Sequence, residues 1–283
     1  MNLSHKDQID IDFDITRTCN NRCPYCSELE YLDNTLKINE EVFEQVIKAV
    51  NEYEHKVFIS LLGGDPLVVP EKVCEFVLRI KADVHIFSNM SFPPKSKHIQ
   101  LVKDLDCVFT NSWHDTSNHE WVKANILTLK DKVTPILMVR EGNQDLMLDH
   151  SKWLVENDIA YNVQFIRDEF DVVQVQDMMD ERIIEMFNNS KKEVSDTIDD
   201  REFNDVQSLD ADLLNIATRY KVICQLYSCR IKFDGTIETL CSHPINYGHI
   251  RDGLNFKEVM CSGHHCICDT SNYKRIINYA SDE

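Results

Sequence analysis

The chain has 283 residues, of which 43% are hydrophobic and 28% charged, and a formal net charge of −18. That composition excludes collagen-like, low-complexity and mostly disordered chains, and the length supports a large apolar core without cross-links. The acidic balance argues against a broad nucleic-acid or anionic-membrane surface, no apolar run reaches the 18 residues of a membrane span, and the polar N-terminus lacks a signal core, so a cytoplasmic protein is expected.

In chain order, IDIDFDIT (9–16) alternates apolar and acidic residues, which predicts a strand with one exposed face. Residues 39–53 carry apolar residues at helical spacing behind Asn39, a candidate N-cap. VFISLL (57–62) reads as a buried strand, and 70–80 as a helix opened by Pro70. A strand at 84–88, a short helix at 95–104, and a strand at 107–112 follow. A helix at 118–130, a strand at 133–139, a helix at 146–157 and a strand at 161–166 complete the series. Six strands with intervening helices predict βαβ units, a parallel sheet and right-handed crossovers. Beyond them lie a helix in ERIIEMFNN and a charged connector. The organisation expected is 1–190 as the main domain, 191–220 as the connector and 221–283 as a Cys-rich tail.

Eleven cysteines without a secretory signal do not read as a disulfide framework. Cys74 and Cys107 sit in apolar runs and read as small buried hydrophobes. The rest fall in two clusters. Cys19, Cys23 and Cys26 form C-x3-C-x2-C directly after the first strand. Three soft thiolates so close together suit three corners of a cubane iron–sulfur cluster, whose fourth iron is left open. Zinc with a distant fourth ligand is the alternative.

This segment resembles the radical S-adenosylmethionine superfamily. Tyr25 stands where that family commonly has an aromatic residue, and Gly63-Gly64-Asp65-Pro66 after the second strand resembles its GGEP motif, with Asp for Glu. The resemblance implies a partial (β/α)6 TIM-like barrel over about 9–170. It also implies a [4Fe–4S] cluster on Cys19, Cys23 and Cys26 that chelates S-adenosylmethionine and cleaves it to a 5′-deoxyadenosyl radical. Gly63 and Gly64 are expected to let the backbone approach the cofactor, with Asp65 favouring its ammonium. Ser88, Asn89, Ser112, Arg140, Asn143 and Gln164, at or near strand ends, are the further cofactor contacts expected. His114 is the candidate proton carrier, with Trp113 and Asp115 beside it in the pocket wall. Arg17 and Arg22 flank the cluster loop and are expected to dock an acidic reductant of the flavodoxin or ferredoxin type.

The tail carries Cys224, Cys229, Cys241, Cys261, Cys266 and Cys268, with a hairpin signal between Cys229 and Cys241 turning at Asp234-Gly235. This resembles the SPASM or twitch extensions of the same superfamily. It implies one auxiliary [4Fe–4S] cluster on Cys241, Cys261, Cys266 and Cys268, with Cys229 competing for one place. Zinc is the rival, because His264 and His265 complete a mixed donor set. The function expected is an oxidation or other modification of a peptide or of a small molecule such as a sugar or nucleoside. No recognition domain precedes the first strand, so a leader-dependent peptide enzyme would use a separate partner. The alternative is a non-catalytic zinc- or iron–sulfur-binding redox sensor.

Overall fold

The structure, a computed structural model, describes residues 8–26, 28–35, 37–166, 180–190, 220–224, 228–239, 246–254, 259–260 and 273–278. Strands β1 (Gln8–Thr16), β2 (Lys56–Gly63), β3 (Asp83–Ser88), β4 (Val108–Trp113), β5 (Val133–Val139) and β6 (Asn162–Phe165) lie side by side in sequence order, all parallel. Helices α1 (Glu40–Glu52), α2 (Pro70–Arg79), α3 (Lys97–Gln100), α4 (His119–Thr128) and α5 (Gln144–Glu156) connect them, and α6 (Glu181–Ser190) follows. This is the parallel sheet that the alternating periods predict, in the partial-barrel fold that the family resemblance implies. The short helix expected at 95–104 is only one turn, at 97–100.

Strand β1 shows how the sheet is built. Successive side chains of a strand point to opposite faces. Ile9, Ile11, Phe13 and Ile15 are buried toward the helices, where the Phe13 ring lies 5.7 Å from Phe76 of α2. The acidic residues therefore face the inside of the half-barrel. Asp10 is exposed as expected, Asp12 is half-buried and Asp14 is buried, so the expected exposed face holds only at the start of the strand. Helix α1 begins as predicted. Asn39 accepts a hydrogen bond from the Val42 amide (3.3 Å), and Val42, Phe43, Val46, Ile47 and Val50 form its buried stripe.

The tail does not stand apart as a separate hairpin. Strand β8 (Ser228–Ile231) pairs parallel with β1, β9 (Thr236–Thr239) pairs antiparallel with β8, and β10 (Asn246–His249) with β9. The nine-stranded sheet thus runs β10-β9-β8-β1-β2-β3-β4-β5-β6. The turn at Gly235 has φ +88 and lies against the His249 ring, so the predicted Asp-Gly turn forms where only glycine fits. Asn39 also donates to the Phe233 carbonyl (3.1 Å), tying the α1 cap to this turn. Strands β7 (Tyr220–Cys224), β11 (Val259–Met260) and β12 (Tyr273–Asn278) form a second, antiparallel sheet in the order β11-β7-β12. The connector expected at 191–220 lies outside the described residues except for Tyr220. Cys241, Cys261, Cys266, Cys268, His264 and His265 lie outside them as well.

Under the barrel mouth, three aromatic residues lock β4, α4 and α5 together. The Trp113 indole is fully buried, stacks on His150 (4.2 Å) and donates to His119 Nδ1 (3.0 Å), and His150 Nε2 lies 3.1 Å from the same nitrogen. Burial, with His119 and Lys123 nearby, pushes the His150 imidazole down to about 3. An unfolded chain takes up this proton first. The stabilisation from a neutral His150 is therefore complete above about pH 6.5 and is lost as the pH falls toward 3. His119, also lowered by burial, adds in the same direction. We expect urea-denaturation free energy to fall below pH 6.5 by up to about 1.4 kcal/mol per pH unit for His150. His150→Phe should flatten that slope while keeping the stack; an unchanged slope would contradict the assignment.

Candidate active site at the barrel mouth

The cysteine loop leaves the C-terminal end of β1, the end at which parallel barrels build their sites. Its path is held by its own polar residues. Thr18 donates its amide to Thr16 Oγ1 (3.1 Å) and its hydroxyl to the Asp33 carbonyl (3.1 Å). Arg22 donates to the carbonyls of Cys19 and Asn21 (2.8 Å each) and to Asn34 Oδ1 (2.8 Å). Asn20 donates to the Ser91 carbonyl (2.7 Å) and Asn21 to Ser117 Oγ (3.4 Å), which pins the loop to the ends of β3 and β4.

Cys19, Cys23 and Cys26 all line one cleft of about 820 Å³. Among the described residues, no three Cys, His, Asp or Glu side chains converge at the spacing of a single metal ion. Three soft thiolates on one short loop around a common space are a donor set that suits a polynuclear iron–sulfur cage. Burial pushes the Cys19 thiol up to about 12, with the Asp65 carboxylate adding to the effect, and burial raises Cys23 as well. Such thiols are protonated at neutral pH and are poor redox nucleophiles. A metal centre that displaces their protons makes them thiolates.

Gly63 and Gly64 serve β1 as much as any ligand. Gly64 donates its amide to the Thr16 carbonyl (2.8 Å), and Asp65 donates its amide to that of Thr18 (2.8 Å). A Cβ on Gly63 would sit 2.1 Å from the Thr16 oxygen, and one on Gly64 2.2 Å from the Thr18 oxygen. Gly63 also has φ +112. The Asp65 carboxylate, expected to favour an ammonium, borders the cleft and is also held by the protein's own donors. It is 1% exposed and accepts from the amides of Leu67 (2.9 Å) and Asn89 (2.8 Å), while Ser88 Oγ lies 3.0 Å from both oxygens. Burial pushes this carboxyl up to about 7 against those hydrogen bonds. Asp65 is thus a positioning residue that holds the end of β3, and Pro66 opens the short 3-10 turn Pro66–Val68 behind it.

The strand-end residues divide into two groups. Ser88, Asn89, Ser112, His114 and Gln164 line the cleft with Tyr25. Within that group the Ser88 hydroxyl is committed to Asp65, and Asn89 donates to Asn20 Oδ1 (2.9 Å) and toward Cys19 Sγ (3.7 Å). Asn143 does not face the cleft as expected. It is buried, accepts from the Arg140 amide (2.9 Å) and donates to the Met138 carbonyl (3.0 Å), closing the turn after β5. Arg140 reaches the site indirectly, by pairing with Asp115 and lying 5.6 Å from the Tyr25 ring centre. The Tyr25 hydroxyl donates to Asp115 Oδ1 (2.8 Å) and lies 3.2 Å from His114 Nδ1. Burial pushes His114 down to about 4, so its imidazole is neutral at neutral pH.

Cys229 is a core residue rather than a cleft residue. It is fully buried in β8 in register with Ile11, on the helix side of the sheet, opposite Asp14 and Arg230. That placement corrects its candidacy as a cluster ligand. The neighbouring Arg230 was not legible in the sequence. It donates to both oxygens of Asp14 (3.2 and 3.0 Å) and to Glu28 (2.9 Å), linking the tail hairpin to the cysteine loop. It borders a second cavity of about 350 Å³, into which Arg17 faces, stacked 5.2 Å from the Phe233 ring centre. Both cavities touch Glu28, Gly63 and Gly64.

A parallel half-barrel carrying three thiols and a glycine step at its C-terminal mouth defines a cluster-binding barrel enzyme. The family model of the Radical SAM superfamily matches residues 13–166, more than half of the chain, and the chain belongs to that superfamily. No curated protein matches the sequence. Among solved structures, it is similar to anSMEcpe with bound AdoMet and Cp18Cys peptide, at 14% identity, over 87% of this chain and 78% of that one, with a TM-score of 0.53. It is also similar to Streptococcus suis SuiB bound to S-adenosylmethionine, at 12% identity, over 84% and 63% of the respective chains, with a TM-score of 0.52. At these identities the likeness is one of fold.

Two substitutions test the frame of the site. Asp65→Asn puts an amide donor against the donors of Ser88, Asn89 or Leu67 and should cost about 1–3 kcal/mol in chemical denaturation. Gly64→Ala should cost more, because backbone must move, and should lower the thermal midpoint further than Asp65→Asn. Wild-type stability in either variant would contradict this geometry.

Proposed function

We propose that this protein binds a [4Fe–4S] cluster through Cys19, Cys23 and Cys26 and uses it with S-adenosylmethionine to remove a hydrogen atom from a peptide substrate. The observation that carries the reading is the convergence of the three thiols, the glycine step and the ends of β3, β4 and β6 on one 820 Å³ cleft. When bound, the cluster and S-adenosylmethionine supply one-electron cleavage of the sulfonium and the hydrogen-abstracting species.

The chain's own residues do the remaining work. The Gly63–Gly64 backbone and Ser112 offer polar contacts at the cleft wall, and Gln164 offers another from β6. Leu62, Phe87, Met138, Val163, Phe165 and Ile166 surround the space with apolar surface that displaces water from a reactive radical. His114 lines the cleft with a neutral imidazole and is the residue placed to exchange a proton with the substrate. Arg22 is exposed beside the cluster loop and is the better placed of the two arginines to meet an acidic flavodoxin or ferredoxin, since Arg17 faces the side cavity.

The peptide reading draws support from the printed contents of similar folds, anSMEcpe with Cp18Cys peptide and SuiB with precursor peptide SuiA. A small polar molecule, such as a sugar or nucleoside, is favoured instead by the charged side cavity beside Gly63 and Gly64. We further propose an auxiliary [4Fe–4S] cluster on Cys241, Cys261, Cys266 and Cys268, supported by their spacing in the sequence. A redox or zinc sensor explains the thiols but gives no reason for the glycine step and the strand ends to share their cleft.

Anaerobically purified protein should hold about eight iron and eight sulfide per chain. About four would leave the auxiliary cluster out, and zinc without iron would overturn the reading. Reduced protein given S-adenosylmethionine should release 5′-deoxyadenosine, and Cys23→Ala should abolish the release. Deuterium transfer from labelled peptide pools or from labelled sugars and nucleosides would separate the two substrate classes.

A further inference from the structure

We propose that the Thr116 hydroxyl raises the reduction potential of the cluster held by Cys19, Cys23 and Cys26, by donating a hydrogen bond to Cys23 Sγ. The inference rests on the cluster assignment above and adds a residue that neither its motif nor its strand position singles out. Thr116 Oγ1 lies 3.0 Å from Cys23 Sγ. A free thiol can donate to a hydroxyl, but a metal-bound thiolate has no proton, so in the loaded protein the hydroxyl is the donor. Thr116 is exposed, and this is the contact its side chain makes among the described residues.

The sulfurs are served unequally. Cys19 accepts from the Asn21 amide (3.4 Å) and faces the Asn89 side-chain amide (3.7 Å), both built into the fold. Cys23 takes its close contact from the Thr116 hydroxyl, 93 residues away in the chain, with the Tyr25 hydroxyl also within reach of the sulfur. The reduced cluster carries one more negative charge than the oxidised one. A donor to its sulfur therefore binds the reduced state more strongly and raises the potential. The Asp115 carboxylate near Cys23 acts in the opposite sense, and its pairing with Arg140 offsets it.

The loop that carries Thr116 does not need this contact to hold its shape. Ser117 donates its amide to the His114 carbonyl (3.1 Å), Asn118 donates its amide to Ser91 Oγ (2.7 Å), Tyr25 holds Asp115, and Asn21 reaches Ser117. Thr116→Val removes the donor and keeps the side chain's shape.

The test is a mediator-buffered titration with dithionite, followed by electron paramagnetic resonance, on the full chain loaded anaerobically. The signal of interest is the one that S-adenosylmethionine perturbs; any auxiliary signal serves as an internal reference. At the wild-type midpoint, Thr116→Val should lower the reduced-to-oxidised ratio about threefold to tenfold, where tenfold corresponds to ~59 mV for one electron. Thr116→Ser should restore the wild-type midpoint. An unchanged midpoint in Thr116→Val with full iron content would overturn the proposal. So would loss of the cluster from both Thr116→Val and Thr116→Ala, which would make the hydroxyl a requirement for assembly. Wild-type protein that takes up no iron–sulfur cluster would instead overturn the cluster assignment itself.

Discussion

The site depends on one close backbone contact, between the ends of β1 and β2. Gly64 and Asp65 extend the β1–β2 pairing past the regular ladder by donating to the carbonyls of Thr16 and Thr18. Thr18 immediately precedes Cys19, so this contact sets where the cysteine loop leaves the sheet. A side chain on either glycine would occupy the space of those carbonyl oxygens. The motif that resembles a cofactor cradle is thus first a steric condition on the strands, and only a backbone without Cβ atoms meets it.

From that contact the order spreads across the mouth through buried polar groups. Among the described residues Asp65 has no cationic partner; its carboxylate is held by two amides and a hydroxyl, which fix Ser88 and Asn89. Asn89 in turn reaches Asn20 and Cys19. Burying a carboxyl costs free energy unless donors surround it, and the raised ionisation of Asp65 reflects that cost. On the far side, Tyr25, Asp115 and Arg140 tie the same loop to the ends of β4 and β5. Arg230 ties it to the tail hairpin through Glu28. The loop that carries the three thiols is tied to residues in or just after β2, β3, β4 and β8, which limits the reorganisation demanded of a cluster-bearing loop.

Much of the architecture was legible in the chain. The six strands follow from their apolar runs, and α1 and α2 from Asn39, Pro70 and the 3.6-residue repeat of their buried faces. The triple cysteine and the glycine step were legible because their meaning lies in spacing along the chain. Asn143 was misread because a polar residue at a strand end has the same sequence signature whether it faces a ligand or caps a turn. Thr116 and Arg230 were missed because their partners lie 93 and more than 200 residues away.

The sequence by itself determined the family, the parallel order of the strands and the presence of three thiols at the end of the first one, because hydrophobic period, turn chemistry and motif spacing are local properties. Tertiary structure alone decided which face of β1 carries buried acid, that the tail hairpin joins the sheet beside β1, and that Cys229 packs in the core. It also decided which polar side chains serve the cleft. Those outcomes depend on which groups meet across the fold, where desolvation and hydrogen-bond geometry select among pairings that the linear chain leaves equivalent.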